Sequence, residues 1–266
     1  MGQDIFQKIE SAPSVDLGSI LTRSFELVKK VWTEAILHAL IPAILTIPLV
    51  IIIYIPLMPF YLQSFRRSSY YYYDDYYYNE PFLEYSPIFI ILYFLFIFVL
   101  SFLAQTLSVG IAAHFYRALR KADLDSDEDI GGYFHFLKGK HLVRIFVLSL
   151  AVFGIALIAT LLCFLPILYA MVPLQLVVVM YAFNEDMSIQ DIIKACFKLG
   201  TKYWLILFVL ILVSGVIGNL GIIICVIGVI VTAYFVHLPM YYFYKDTIGF
   251  EDSDPPGDSI LELPEG

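Results

Sequence analysis

Charge is what this chain has least of. Asp, Glu, Lys and Arg together make up 15% of its 266 residues, against about 25% in an ordinary soluble domain. There are only three cysteines, Cys163, Cys196 and Cys225. An odd, scattered set inside apolar stretches excludes a disulfide framework, and each reads as a small buried hydrophobe. No Cys-x-x-Cys, glycine-rich phosphate loop or Ser-His-Asp order occurs, so redox, nucleotide and serine-hydrolase chemistry have no motif to rest on. Gly131-Gly132 and Gly218/Gly221 read as turns or weak points in helices. The five histidines include no pair at the short spacing of a zincin helix or a zinc finger. Residues 1–16 are polar, with Asp4, Lys8, Glu10 and Pro13, and lack the apolar core of a cleavable secretory signal. The N-terminus is therefore expected to be retained.

Apolar residues are what the chain has instead. They account for 60% of it, and the mean hydropathy is +0.81. A helix that crosses a bilayer needs about 20 of them in a row. The apolar runs predict an all-α, polytopic transmembrane bundle of six spans, at 35–62, 87–116, 142–164, 167–183, 203–217 and 222–244. The membrane domain covers 17–245, between a polar segment, 1–16, and an acidic tail, 246–266. Pro42, Pro48, Pro56 and Pro59 predict a kinked or partly broken first span. Turns are expected near Pro166 and at Gly218-Asn219-Leu220-Gly221.

The basic residues give this topology a side. With both termini inside, the cytoplasmic segments hold Lys8, Arg23, Lys29, Lys30, Arg117, Arg120, Lys121, Lys138, Lys140, Arg144, Lys194, Lys198, Lys202 and Lys245, and the outer loops hold only Arg66 and Arg67. Lys and Arg mark the cytoplasmic face. The sequence thus predicts a multi-pass protein of the inner (cytoplasmic) membrane, with the lipid bilayer as its main partner and no role for nucleic acid.

The sequence also repeats itself. Leu17, Ile20, Leu21, Ser24, Phe25, Val28, Val31 and Trp32 share one helical stripe. Ile189, Ile192, Ile193, Cys196, Phe197, Gly200, Tyr203 and Trp204 form the same stripe 172 positions later, as 192 − 20 shows. Leu27 corresponds to Leu199 and Lys30 to Lys202. Such helices lie in the membrane interface with lysines in water, which makes Trp32, Trp204, Lys30 and Lys202 candidate interfacial anchors. A shorter third stripe, Ile130, Tyr133, Phe134 and Leu137, follows Ser126. Ser126/Asp129 and Ser188/Asp191 read as capping boxes with Asp in place of Glu, and Asp16 as an N-cap. The expected architecture is three units, each an amphipathic interfacial helix leading into a transmembrane hairpin.

The run S-I-Q-D-I-I-K-A-C-F-K-L-G-T-K-Y-W from Ser188 to Trp204, with G-N-L-G-I-I-I-C-V-I-G from Gly218, resembles a bacterial six-span family. It is similar to the membrane domain found beside some glycerophosphodiester phosphodiesterases and to related inner-membrane proteins. The resemblance covers most of residues 17–250. It implies a six-span membrane fold without the phosphodiesterase, which is a separate soluble barrel that this chain has no room for.

Candidate chemistry is sparse. Glu34, His38, His114 and His237 fall at a similar depth near the inner leaflet and suggest a metal or proton site, since ionisable groups inside a membrane are functional suspects. Gln105 and Gln175, the latter two residues beyond Pro173, suggest a transport path at a broken helix. Tyr70 to Tyr73 and Tyr76 to Tyr78 crowd an outer loop around Asp74-Asp75. This loop and the acidic tail are the candidate protein-docking surfaces. No cofactor is implied. The leading expectation is a non-enzymatic inner-membrane protein that organises or supports membrane components. The alternatives are a small-molecule or lipid transporter and a metal-dependent membrane enzyme at the histidines. The lack of carboxylates within the spans favours the first over a coupled carrier.

Overall fold

The computed structural model describes residues 2–59, 61–62, 86–162, 165–224 and 232–250. Among the described residues there are eight α-helices and no strand. The helices are α1 (Gly2–Ser11), α2 (Leu17–Tyr54), α3 (Pro87–Asp123), α4 (Gly139–Leu161), α5 (Leu165–Phe183), α6 (Ile189–Lys202), α7 (Trp204–Ile224) and α8 (His237–Thr247). Short 3-10 turns occupy Ile55–Leu57, His135–Leu137 and Ala233–Val236. The Tyr70–Tyr78 loop, Cys163, Cys225 and the tail beyond Phe250 lie outside the described residues.

Four helical stretches are long and apolar enough to cross a membrane: Leu17–Leu57, Pro87–Asp123, Gly139–Leu161 and Pro166–Phe183. Ile189–Lys202 and Trp204–Leu220 add a fifth if the pair, bent by 93°, counts as one span. The chain is therefore an all-helical protein with the spans of a multi-pass membrane protein. The expected spans 142–164 and 167–183 correspond to α4 and α5. The first span runs through Pro42 and Pro48 as one helix and tightens to 3-10 only at Ile55–Leu57, beside Pro56.

Two compact units divide the chain, one of residues 1–41 and 108–266, the other of residues 42–107. In the second unit the described side chains are mostly exposed apolar ones, such as Ile44, Ile51, Ile88 and Phe94. The Tyr93 hydroxyl donates to the Ile53 carbonyl. In the first unit α5 lies at the centre, with Val172, Leu176, Val179, Met180 and Tyr181 fully buried, and it packs against α4, α6, α7 and α8. Gly200 permits the tightest of these approaches. A Cβ there would stand 2.7 Å from Pro173 Cα, inside any real carbon–carbon contact. Pro173 is thus a packing surface for α6.

Several sequence expectations are corrected. The polar segment 1–16 contains α1, whose Ile5 and Ile9 are buried in contact with α6. Lys202 Nζ donates to the carbonyls of Ile9, Glu10 and Ala12 at 2.9, 2.9 and 3.0 Å, and the one proton of the Tyr203 hydroxyl is shared between Pro13 O at 2.6 Å and Ala12 O at 2.8 Å. Unpaired carbonyls at a helix C-terminus attract a lysine in this way. The first lead-in segment is not a separate helix, because α2 is continuous from Leu17 to Tyr54. The middle one is absent, since residues 126–134 contain no helix. Asp129 instead accepts from Gly131 N at 2.9 Å, an Asx turn that suits the positive φ of Gly131. Where the turn at Gly218–Gly221 is expected, α7 runs through unbroken. In an apolar environment a helix satisfies its own backbone, so glycine breaks it less readily. The tail also begins later than 246, because Asp246 pairs with Arg23 and both Ile248 and Phe250 are buried.

The capping assignments at the other two helices hold. Asp16 Oδ2 accepts from Ser19 N at 2.8 Å. Ser188 Oγ accepts from Asp191 N at 3.2 Å and contacts Asp191 Oδ2 at 2.7 Å.

Candidate functional site: a buried histidine pair

The buried face of α2 begins in the lead-in segment and continues into the span as Ile20, Ser24, Leu27, Val31, Ala35 and His38. Steps of three and four keep these residues on one helical stripe. His38 is its last polar member and is fully buried. On α3, Ile111 to Tyr116 are all buried and include His114. The two rings meet with His38 Nε2 2.8 Å from His114 Nδ1 and their centroids 5.1 Å apart.

A carbonyl stands at each end of this pair. His38 Nδ1 lies 2.7 Å from Glu34 O, and His114 Nε2 lies 3.2 Å from Gly131 O. Carbonyls only accept, so both outer nitrogens must carry protons for these bonds to form, and the inner contact needs one more. Two neutral imidazoles bring two protons for three contacts. The two short contacts form in the neutral pair, and the longest, to Gly131, forms when a third proton is bound. Glu34 Oε2 stands 3.7 Å from His38 Nδ1 and supplies a counter-charge. It also accepts from the Tyr133 hydroxyl at 3.2 Å. Burial, and then the Glu34 charge, push the Tyr133 phenol above its ordinary range, which keeps it a donor.

An aromatic sleeve encloses the pair. Phe115 and Tyr133 rings lie 5.0 Å from His38, and Tyr133 lies 5.2 Å from His114. His237 stands behind this sleeve, with Tyr234 at 5.0 Å and Phe115 at 6.0 Å from its ring. Its Nδ1 bonds the Tyr116 hydroxyl at 3.0 Å. Glu34, His38 and His114 are thus brought into direct contact, while His237 joins through shared aromatics. The nitrogens of the pair face carbonyls or each other, an arrangement that suits holding protons better than ligating a metal.

The other candidate residues are placed elsewhere. Gln105 and Gln175 are exposed on their helices, and Pro173 packs on Gly200. Trp32 is 52% exposed, and Lys30 meets Asp125 at 3.4 Å. Trp204 is half-buried, stacks on Phe208 at 5.0 Å and donates to Tyr169 O at 3.2 Å. Lys202 serves as the cap of α1.

Sequence reasoning missed a second cluster. His135, His141 and Glu185 bring one potential ligand atom each to within 4.8 Å of one another. They come from the 3-10 turn, the first turn of α4 and the turn after α5. The available signal is two histidines six residues apart at the start of a span, but nothing in the spacing points to Glu185. Compared with protein-family models, curated proteins and solved structures, the chain gives no match.

Proposed function

We propose that this chain is a six-span protein of the inner membrane, with both termini and the 117–144 segment cytoplasmic, that organises or supports membrane components and performs no reaction of its own. The observation that carries the topology is a set of ion pairs linking segments far apart in sequence. Glu10 pairs with Lys198, Arg23 with Asp246, Lys30 with Asp125, Arg117 with Glu185 and Lys245 with Asp123. Charged side chains in contact belong on one side of a bilayer, since burying one at its centre costs about 2.5–3.5 kcal/mol or more. The chain then crosses an even number of times between successive members of the set. α2 and α3 supply two crossings, α4 and α5 two more, and the stretch from Trp204 to Lys245 the last two. The excess of Lys and Arg in these segments makes their side cytoplasmic.

The same pairs support the supporting role. They close the cytoplasmic layer into a connected plate, and exposed apolar faces on the long helices suit lipid contact. Crosslinking native membranes through Lys8, Lys29 and Lys194 tests this reading. A reproducible set of neighbouring membrane proteins is expected, and crosslinks only within the chain would contradict it.

A second reading, a proton-coupled carrier, is favoured by the His38–His114 pair, because Gly131 O stands where it would accept a third proton carried on His114 Nε2. Purified protein in liposomes loaded with a pH-sensitive dye separates the two. Proton flux that His38→Ala abolishes would favour the carrier, and no flux above empty liposomes is expected of the supporting protein.

A further inference from the structure

We propose that His135, His141 and Glu185 bind one divalent transition-metal ion of the zinc type. This inference concerns neither the histidine pair nor the supporting role and does not depend on either.

Its first support is convergence. His141 Nδ1 lies 3.4 Å and His135 Nε2 3.8 Å from the same oxygen, Glu185 Oε2. Ligand bonds of about 2.0–2.2 Å in tetrahedral geometry place neighbouring ligand atoms roughly 3.3–3.5 Å apart. The His141–Glu185 edge already has that length, and the His135 edge reaches it through a small ring rotation. The two imidazole rings stand 5.0 Å apart.

The second support is independent of distance. All three of these atoms are buried, and the two imidazole nitrogens, His135 Nε2 and His141 Nδ1, have no hydrogen-bond partner among the described residues, while Glu185 Oε2 is paired with Arg117. More than nine in ten buried polar groups find a partner, so two orphaned nitrogens facing one carboxylate oxygen need an explanation. A cation shared with the carboxylate satisfies both nitrogens at once. Neutral imidazole and carboxylate are the ligand types that zinc and its neighbours prefer, while magnesium and calcium take oxygen.

The supporting backbone is fixed on both sides. His135 N donates to Gly132 O at 2.8 Å, and His141 N to Lys138 O at 3.2 Å. The turn that carries Glu185 is held by Met187 N on Asn184 O at 3.1 Å and by Asn184 Nδ2 on the Tyr244 hydroxyl at 2.8 Å. Arg117 Nη2 lies 3.1 Å from Glu185 Oε2 and Nε donates to Ala182 O at 3.2 Å. Arg117 therefore orients the carboxylate from outside the ligand set, as partners of metal ligands commonly do. Its charge opposes the ion, and a fourth ligand of hydroxide or another anion offsets part of that opposition. Three protein ligands leave that position open. The ion would staple the approach to α4 onto the exit from α5.

The test is zinc titration of the full chain, purified in detergent, with Ca2+ and Mg2+ as competitors. One equivalent per chain is expected, displaced by neither competitor. Glu185→Gln and His141→Ala should each weaken binding by at least about tenfold, the lower end of what loss of an outer-shell partner alone costs. His38→Ala should retain the equivalent, which separates this site from the histidine pair. A Co2+-loaded wild-type chain should show the intense visible bands of four-coordinate cobalt, a readout that does not depend on how any variant folds. No equivalent, an equivalent unaffected by both ligand substitutions, loss of it in His38→Ala, or a weak six-coordinate cobalt spectrum would each overturn the site.

Discussion

Residues 17–41 and 189–213 carry the same stripe and fold differently. Ile20, Ser24, Leu27 and Val31 are buried, and so are Ile192, Cys196, Leu199 and Tyr203 at the same offset. Yet the first region is one continuous run of α2, while the second breaks at Tyr203 and turns through 93°. The stripe decides which face is buried, and the residues at the junction decide whether the helix continues. Gly200 lets α6 lie against Pro173, where the first region has Val28. Lys202 and Tyr203 are held by the carbonyl end of α1, while Lys30 makes only an exposed pair with Asp125.

The largest expected effect comes from making the second region resemble the first. Gly200→Val forces atoms into Pro173 and should lower stability by about 3 kcal/mol, the upper end for overpacking. The converse change, Val28→Gly, should cost about 1 kcal/mol, the price of glycine within a helix. Thermal unfolding in detergent compares the two, and equal losses would break the contrast.

Next is the end of the buried stripe in the first region. His38→Ala leaves His114 Nδ1 without its acceptor and should cost about 2 kcal/mol. The double variant with His114→Ala should lose less than the sum of the single losses, because the rings are in contact. Additive losses would mean that the pair is not coupled.

Lys202→Met keeps the stem and removes three donated bonds to α1. We expect a loss of about 1 kcal/mol and faster hydrogen exchange across Ile5–Ser11. Lys30→Met should change stability by no more than about 0.5 kcal/mol, as for other exposed pairs. Unchanged exchange in α1 would show that the lysine does not hold it.

The smallest effect is a pH dependence at α1. The Lys198 hydrogen bond and charge hold the fully exposed Glu10 carboxyl below its ordinary range. Its folded pKa is depressed, so its contribution is fully present above the unfolded glutamate value of about 4.3 and is lost as pH falls through the folded value. Protection of α1 should weaken at the acid end of the titration in wild type and show less acid dependence in Glu10→Gln.

The all-helical class and the runs that became α2 to α5 were legible, because long apolar segments have few other physical solutions. α1 was obscured by its charges, although Ile5 and Ile9 stand one helical turn apart. The bend at Tyr203 depends on Pro173 and Ala12, contacts that no local pattern contains. Glu34, His38 and His114, which share a depth, meet because α2 and α3 face each other there. Depth could not tell that Gln105 and Gln175 are exposed, since it fixes nothing about rotation around a helix axis. His135, His141 and Glu185 meet through loop geometry, which hydrophobic periodicity does not encode.

The central claim is that the ion-paired segments share the cytoplasmic side. Single cysteines at Asp75, Asp127 and Ser253, in a chain with Cys163, Cys196 and Cys225 replaced by alanine, can be exposed to a membrane-impermeant thiol reagent on intact cells. Labelling at position 75, with 127 and 253 reacting only after the membrane is opened, is the predicted result. Labelling of 127 or 253 from outside, or protection of 75, would contradict it.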